Sequence, residues 1–477
     1  MLVVIAFSLT LYTNASPLAN VVIQSVGTIA PYVTANSGSA ADIQNAVNQV
    51  ATHGNGLGTV IIPAGNWTWY DTTVNVPTGV NIIGTGLAGN SGHPNFTNYT
   101  ISSSTNTILF DNYTYSSPTG TYSFNPMFYV YGTPNVWGDN SIANTKTPYA
   151  PTRISGIYFE SNLWPAGYGT AEVNTGGVQA IQIRESDNCR VDHCTFVDFS
   201  QAVMLIANDA DNESSTTNGA TCYGVVDHCT FTLLYETRNP GSGTYWSLNY
   251  GVYALGNLYG LFGDEGATAF TLPATSFFGY YGPRPLYCIV YVEDCHFTYV
   301  MQTCDAIQGG YYCSRFNLVT APVMDNGGQI TGAFDNHGTP GYWAVGGRGA
   351  EIYNDTVVMP TAAQLAAYSW WIQSGEFYND RGGGSLIYNN TFNSNNPSES
   401  TYTAMIYLSM NDYSSGYQAC AVNNTYLWSN TMTNNPNYLS VDSGIVLNTN
   451  YFEFSPWSTS VPAAYRFSYT PYQYPAY

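Results

Sequence analysis

The chain has 477 residues, enough for one elongated domain or several compact ones, and only 8% of them are charged, against about 25% in an ordinary soluble protein. Its basic residues number ten, Lys146 being the only lysine, and the formal net charge is -20. That balance excludes nucleic acid and anionic lipid as partners, because both require basic patches; so few carboxylates also leave a surface that changes little as pH falls, which suits an acidic or harsh exterior.

Residues 1–36 open with MLVVIAFSLTLY and TNASPLA, an apolar stretch and a small-residue site of the secretory kind, without the basic start. A retained apolar first strand is the other reading, and the stretch is too short to span a bilayer. SAADIQNAVNQVA (39–51) then places Ile43, Ala46, Val47 and Val50 on one helical face, with Ser39 as N-cap and Asp42 three residues on. GTVIIPAGNWTW (58–69) and GVNIIGTG (79–86) read as strands bounded by Gly and Pro turns. Spans near 88–150 and 239–287 read as long loop insertions, and 436–477 as a Tyr-rich cap or tail.

VDHCTF occurs at 191–196 and again at 226–231. Aligned on it, SGIYF ends at Phe159, DHCTF at Phe196 and Phe231, EDCHF at Phe297, RFNLV at Val319, YNDTV at Val357, YNNTF at Phe392 and WSNTM at Met432. The steps are 37, 35, 66, 22, 38, 35 and 40 residues. The shortest is one bare turn of a solenoid, and the step of 66 is expected to hide an extra coil around NYGVYALG (249–256). Short β-rich units of this kind predict an all-β chain wound as a parallel β-helix. Within a unit, Val191, Cys194 and Phe196 are expected to point inward and Asp192 and Thr195 outward. His193 takes a tight bend that recurs near Asn389. The helix at 39–51 then covers an open end that would otherwise pair with other chains.

Coils stack about 4.8 Å apart, which puts Cys194, Cys229 and Cys295 in one interior column and Cys222 and Cys288 in another. The spacing fits no common zinc motif. A vertical Cys194–Cys229 disulfide and packed thiols both remain open, and nine cysteines leave at least one without an intrachain partner. Nine Asn-x-Ser/Thr sequons, at Asn14, Asn66, Asn95, Asn98, Asn112, Asn212, Asn354, Asn389 and Asn423, fit a glycosylated extracellular chain.

The helix segment DIQNAVNQ, followed by GTVIIPAGNW and VPTGVNIIGTG, resembles the N-terminal cap and first coils of the pectate-lyase-like superfamily of right-handed parallel β-helix proteins. VDHCTF is similar to the vWIDHC-like segment of pectate lyases, with valine where tryptophan-isoleucine would stand. DAIQGGYYCSRFN (305–317), FDNHG (334–338), RGAEIYND (348–355) and RGGGSLIYNNTF (381–392) look like further coils of that kind. The resemblance spans residues 37–435 and implies a right-handed parallel β-helix with a short N-terminal capping helix. It implies little about activity, because the superfamily includes polysaccharide lyases, glycoside hydrolases, epimerases, viral tailspikes, adhesins and silent scaffolds.

A lyase of this fold removes a proton beside a uronate carboxylate, using an Arg or Lys base and Ca2+ held by carboxylates. Arg315, Arg348 and Arg381 fall in similar coil phases and are the candidate bases, while Glu351 and Asp380 are the acids to consider for a metal. The RxPxxR motif of pectate lyases is absent. A hydrolase needs two facing carboxylates, for which Asp305 with Asp335 is the best pair and His337 an assistant. The Asp-Asp dipeptide of polygalacturonase-like enzymes is missing. The competing view is that these arginines and acids pair across coils and steady the turns, and that His193 and His228 are bend residues.

Trp246, Tyr259, Tyr280 and Tyr281 in the second insertion, with Trp370 and Trp371, offer flat apolar faces with polar rims that suit sugar rings, or equally pack loops and build a protein interface. Two classes of function follow. One is a secreted or cell-surface polysaccharide lyase or glycoside hydrolase acting on a polysaccharide or surface glycan, with Ca2+ as its one implied cofactor. The other is a non-catalytic surface β-helix: a glycan-binding adhesin, a virion spike, or a homo-oligomeric subunit of an extracellular layer or filament.

Overall fold

The computed structural model describes residues 32–52, 56–86, 103–112, 125–132, 150–161, 179–186, 188–199, 201–206, 222–232, 250–255, 288–300, 302–307, 310–320, 322, 332–336, 347, 349–359, 361, 376–394, 404–409, 422, 425–434 and 438–454. They belong to one compact unit that begins at Pro31. The signal-like stretch lies outside the described residues, and among them no helix is long and apolar enough to cross a membrane.

The strands form three parallel sheets. Sheet A has twelve strands, from Tyr32–Thr34 to Tyr451–Phe454; sheet B has ten, from Gly65–Trp69 to Thr431–Thr433; sheet C has ten, from Val74–Pro77 to Leu439–Val441. The chain visits A, B and C in turn and returns to A one strand further along, which is a parallel β-helix. Parallel crossovers of this kind take the right hand.

The alignment drawn from the sequence is the register of sheet B. Phe159, Phe196, Phe231, Phe297, Val319, Val357, Phe392 and Met432 are successive partners. Four of these rings stack inside the coil, Phe159 on Phe196 at 5.1 Å, Phe196 on Phe231 at 4.9 Å and Phe231 on Phe297 at 4.5 Å. The step of 66 holds no extra coil, because Cys222–Asp227 pairs directly with Cys288–Glu293; Tyr250–Leu255 is simply that coil's strand in sheet C. Strands Thr107–Asp111 and Phe128–Tyr131 likewise lie within 88–150, and the last coil continues past 435 to Phe454.

The bend from sheet A to sheet B is a single left-handed residue in every coil from Gly156 onward: Gly156, His193, His228, Asp294, Phe316, Asn354, Asn389 and Ser429. The next residue turns inward and closes the bend. Cys194, Cys229 and Cys295 point their sulfurs at the carbonyls of Ile154, Val191 and Val226 in the preceding coil, at 3.8, 3.6 and 3.6 Å. Further along the same column Asn317, Asn390 and Asn430 donate Nδ2 protons to the equivalent carbonyls of Val292, Ile352 and Ile387, each at 2.9 Å. The recurring cysteine therefore does the work of an amide, satisfying a buried carbonyl that the turn leaves open. Cys194 and Cys229 are buried thiols, not a disulfide.

The first coil is closed by the helix Ala40–Thr52, which buries Ile43, Ala46, Val47 and Val50 as the pattern predicts. Ser39 caps it, its Oγ accepting from Asp42 N at 3.2 Å, while the Asp42 carboxylate takes the Ser37 hydroxyl at 2.5 Å. Gln44 pairs with the main chain of Asn75, accepting from its N at 2.7 Å and donating to its O at 3.2 Å. One side chain thus completes hydrogen bonds on the first strand of sheet C.

Candidate functional site

Sheet C departs from an ordinary solenoid on its outer face. One outward column runs Gln182, Met204, Tyr253, Asp305, Asp335, Asn379 and Tyr407 through successive strands. Met204 and Tyr253, with Ile206 and Ile307, form an apolar cluster separate from the core. The column then changes to Asp305 and Asp335, in register on adjacent strands Gln302–Ile307 and Gly332–Asn336, both fully buried. Arg381, which follows strand Glu376–Asp380, grips Asp335 with both arms of its guanidinium: Nε donates to Oδ1 at 3.1 Å and Nη2 to Oδ2. Gln302 Nε2 donates to Asp335 Oδ2 as well, at 2.5 Å.

Three of the six catalytic candidates, Asp305, Asp335 and Arg381, therefore meet at one place. Arg315 does not join them. It ends strand Gly310–Arg315 on sheet A, where it is paired with Glu293 and donates to the Tyr353 hydroxyl at 2.7 Å. The shared coil phase of the three arginines breaks down because Arg381 precedes its sheet A strand, Gly384–Tyr388, whereas Arg315 terminates its own. Arg348 and His337 lie outside the described residues, as do Trp246, Tyr259, Tyr280, Tyr281, Trp370 and Trp371.

The two acids considered for a metal are not brought together. Glu351 is half-buried on sheet A, accepts from the Tyr311 hydroxyl at 2.7 Å, and is pushed up by desolvation. Asp380 is fully buried at the end of a sheet C strand, takes the Thr425 hydroxyl at 2.8 Å, and is pushed up to about 7 by burial. Among the described residues no group of three or more His, Cys, Asp or Glu could hold a metal ion. The oxygen-rich set a calcium ion requires is not assembled from Glu351 and Asp380.

Sheet A carries a different column just before the bend: Ser155, Asp192, Asp227, Glu293, Arg315, Tyr353, Tyr388 and Trp428. The sequence pattern points Asp192 outward. It is outside but fully covered, because Arg153 clamps it at 2.6 Å through Nε and Nη2, Ser155 donates at 3.0 Å and His193 Nδ1 lies at 2.6 Å. Asp227 repeats the arrangement with Arg190 at 2.8 and 2.7 Å and His228 at 2.8 Å. Burial pushes each carboxyl up, but these hydrogen bonds and charges outweigh it and hold both below the usual range; the bond to Asp227 in turn raises His228. The imidazoles stack at 5.1 Å and 6°. They are bend residues locked to the acid behind them, as the competing view held.

The aromatic end of that column stacks too, Tyr353 on Tyr388 at 4.7 Å and Tyr388 on Trp428 at 4.3 Å, with planes within 6°. Stacking occupies both faces of Tyr388 and one face each of Tyr353 and Trp428, so these aromatics serve first to hold successive coils together. The sequence signal for them was the aromatic preceding the bend in IYND, IYNN and LWSN. Gln302 was also missed; only the strand register brings it to Asp335. Of the sequons, Asn66 and Asn389 are exposed, Asn112 and Asn354 are half-buried, and Asn14, Asn95, Asn98, Asn212 and Asn423 lie outside the described residues.

No family model matches the chain, and no curated protein matches it. Solved structures do. An alginate lyase from Paenibacillus sp. str. FPU-7 is similar over 86% of this chain and 99% of its own, with 11% identity and a TM-score of 0.42. A mutant tailspike protein of E. coli bacteriophage HK620 in complex with a pentasaccharide is similar over 87% of this chain but only 59% of its own, with 15% identity and a TM-score of 0.48. A hyperthermoactive exopolygalacturonase from Thermotoga maritima is similar over 84% of this chain and 81% of its own, with 9% identity and a TM-score of 0.37. At these identities the likeness is one of fold.

Proposed function

We propose that the chain is an extracellular, glycan-active β-helix that hydrolyses glycosidic bonds with Asp305 and Asp335. The observation that carries this reading is the register of the two acids on adjacent strands of sheet C. One interstrand step is about 4.8 Å, near the carboxyl separation of about 5–5.5 Å used by retaining glycosidases and well short of the inverting range. Arg381 and Gln302 fix the orientation of Asp335 for attack on the anomeric carbon, and Asp305 moves the proton to and from the leaving oxygen. Of the three candidate bases, the two among the described residues, Arg315 and Arg381, are each held by a carboxylate, which favours hydrolysis over lyase chemistry at this site. Since both acids are buried, substrate must displace what overlies this face.

The test is a panel of neutral and acidic polysaccharides, scored separately for new reducing ends and for unsaturated uronate, with and without Ca2+. Reducing ends of retained anomeric configuration, lost in Asp305→Asn and in Asp335→Asn while both variants stay folded, are the expected result. Unsaturated product that survives both substitutions would replace the hydrolase with a lyase. A folded wild type silent on the whole panel would leave the chain as a non-catalytic surface β-helix.

A further inference from the structure

The bend between sheets A and B forms a ridge of one left-handed residue per coil, and seven of its eight members are Gly, His, Asp, Asn or Ser. Gly, Asn and Asp tolerate this backbone best, and His is enriched there. The eighth is Phe316, at φ 60° and 51% exposed. A bulky side chain in that conformation is an outlier, and a buried ring would be no reason for it because this ring is not buried. Nor is it loose: it meets Tyr353 edge-on at 6.3 Å and 78°.

We propose that the ridge centred on Phe316 binds a neutral glycan chain lying along the axis of the solenoid. Neighbouring ridge residues are about 4.8 Å apart, close to the length of one sugar ring, so a linear glycan meets a new side chain with each unit. Asp294, exposed on one side of Phe316, accepts hydroxyl protons. Asn354 on the other side is steadied by the Asn389 amide, which donates to its Oδ1, and keeps its own amide protons for the ligand. The half-exposed ring of Phe316 supplies the apolar platform, unlike Tyr353, Tyr388 and Trp428, which stack on one another.

Charge selects the neutral polymer. The chain carries -20, Asp294 faces the ligand, and the adjacent Arg315 is neutralised by Glu293. A protein partner is the poorer fit. Among the described residues the other large exposed apolar side chains are Tyr32, Tyr70, Val446 and Leu447, none of them on the ridge, so the apolar surface around Phe316 is a narrow aromatic strip with Tyr353, Tyr388 and Trp428 and not the broad patch a protein interface buries. The site lies between sheets A and B, whereas the acid pair is on sheet C; it rests on the reading above only for the class of ligand.

The experiment uses the full chain made in a host that adds no N-glycans, because sugar on Asn354 or Asn389 would cover the ridge. Hexaoses of glucose, mannose and N-acetylglucosamine are titrated into wild type, Phe316→Asn, Phe316→Tyr and Asp305→Asn, and each protein is also melted. At least one hexaose binds, Phe316→Asn weakens it about tenfold, the worth of one aromatic contact, and Phe316→Tyr keeps it. Phe316→Asn melts at the wild-type temperature or above, since asparagine suits the backbone better. Asp305→Asn binds as wild type, so loss of the acid-pair reading leaves this result standing. The proposal is overturned by wild-type binding in Phe316→Asn, by a melting point several degrees lower in that variant, by failure of every hexaose to bind wild type, or by a concentration-dependent mass that Phe316→Asn abolishes.

Discussion

Asp355 occupies the interior bend column between Asn317 and Asn390, and a single substitution there tests how the ladder works. Each asparagine accepts a main-chain N–H from the preceding coil and returns an amide proton to its bend carbonyl: Asn390 takes Asp355 N at 2.9 Å and gives Nδ2 to Ile352 O at 2.9 Å. Asp355 accepts Asn317 N at 2.7 Å and the Ser314 hydroxyl at 2.6 Å, but as a carboxylate it has no proton to return. Burial pushes it up to about 7, against the opposing pull of those two donors.

A carboxyl raised in the folded state favours the acid form. Its contribution is fully present below the unfolded value of 3.8 and is lost as pH rises through about 7. Roughly three pH units at about 1.4 kcal/mol each amount to about 4 kcal/mol. For a unit running from Pro31 to Tyr477 the entropy of unfolding is about 1 kcal/mol/K, so this loss lowers the melting temperature by about 4 °C between pH 4 and 8. Asp380, raised to about 7, and Asp111, raised to about 6, both by burial, act in the same direction. Melting curves followed by circular dichroism across that range should show Asp355→Asn removing about a third of the wild-type decline and melting higher at pH 8. A variant that keeps the full decline, or melts lower at pH 8, would refute the argument, since the ladder would then prefer the carboxylate.

The Arg153–Asp192 clamp has the opposite sign: the depressed carboxyl contributes above 3.8 and loses that contribution as pH falls, so Asp192→Asn should flatten the acid limb of the same melting profile. Arg381→Met alone should cost about 3–5 kcal/mol by leaving Asp335 buried and uncompensated, while the double change with Asp335→Leu recovers most of it; denaturant titration of the three variants checks this. The thiols of Cys194, Cys229, Cys295 and Cys304 are buried and pushed up by desolvation, so mass spectrometry should find them unalkylated by iodoacetamide at pH 8 until the protein is unfolded. Cys229→Ser should keep the contact to Val191 O at little cost, whereas Cys229→Val should lose about 1–3 kcal/mol by orphaning that carbonyl.

What the sequence made legible was whatever repeats with the coil. The column from Phe159 to Met432 was legible because one interior position takes an apolar side chain in each turn. The helix at Ala40–Thr52 was legible because its period differs from that of every strand. Pairings across coils were not. Arg153 reaches Asp192, and Arg381 reaches Asp335 46 positions earlier, through a register that loop lengths conceal. The 66-residue step conceals its register for the same reason: its length suggests two coils, while strand Cys222–Asp227 pairs directly with Cys288–Glu293, one coil on.

Repetition also accounts for residues that look chemical in isolation. Asp-His-Cys recurs because the acid takes an arginine, the histidine tolerates the bend and the thiol meets a carbonyl, each identified by its partners. Tyr353, Tyr388 and Trp428 recur because each stacks on the next. Function is better sought where a column stops repeating. The outer column of sheet C changes from Met204 and Tyr253 to Asp305 and Asp335 with no gain in packing, and burying two acids there requires Arg381 and Gln302 in support. The bend column changes from Gly, His, Asp, Asn and Ser to Phe316 against the preference of its own backbone. Both departures carry a stability cost that a purely architectural coil has no reason to bear, and they lie on different sides of one solenoid, the acids on sheet C and Phe316 at the bend between sheets A and B.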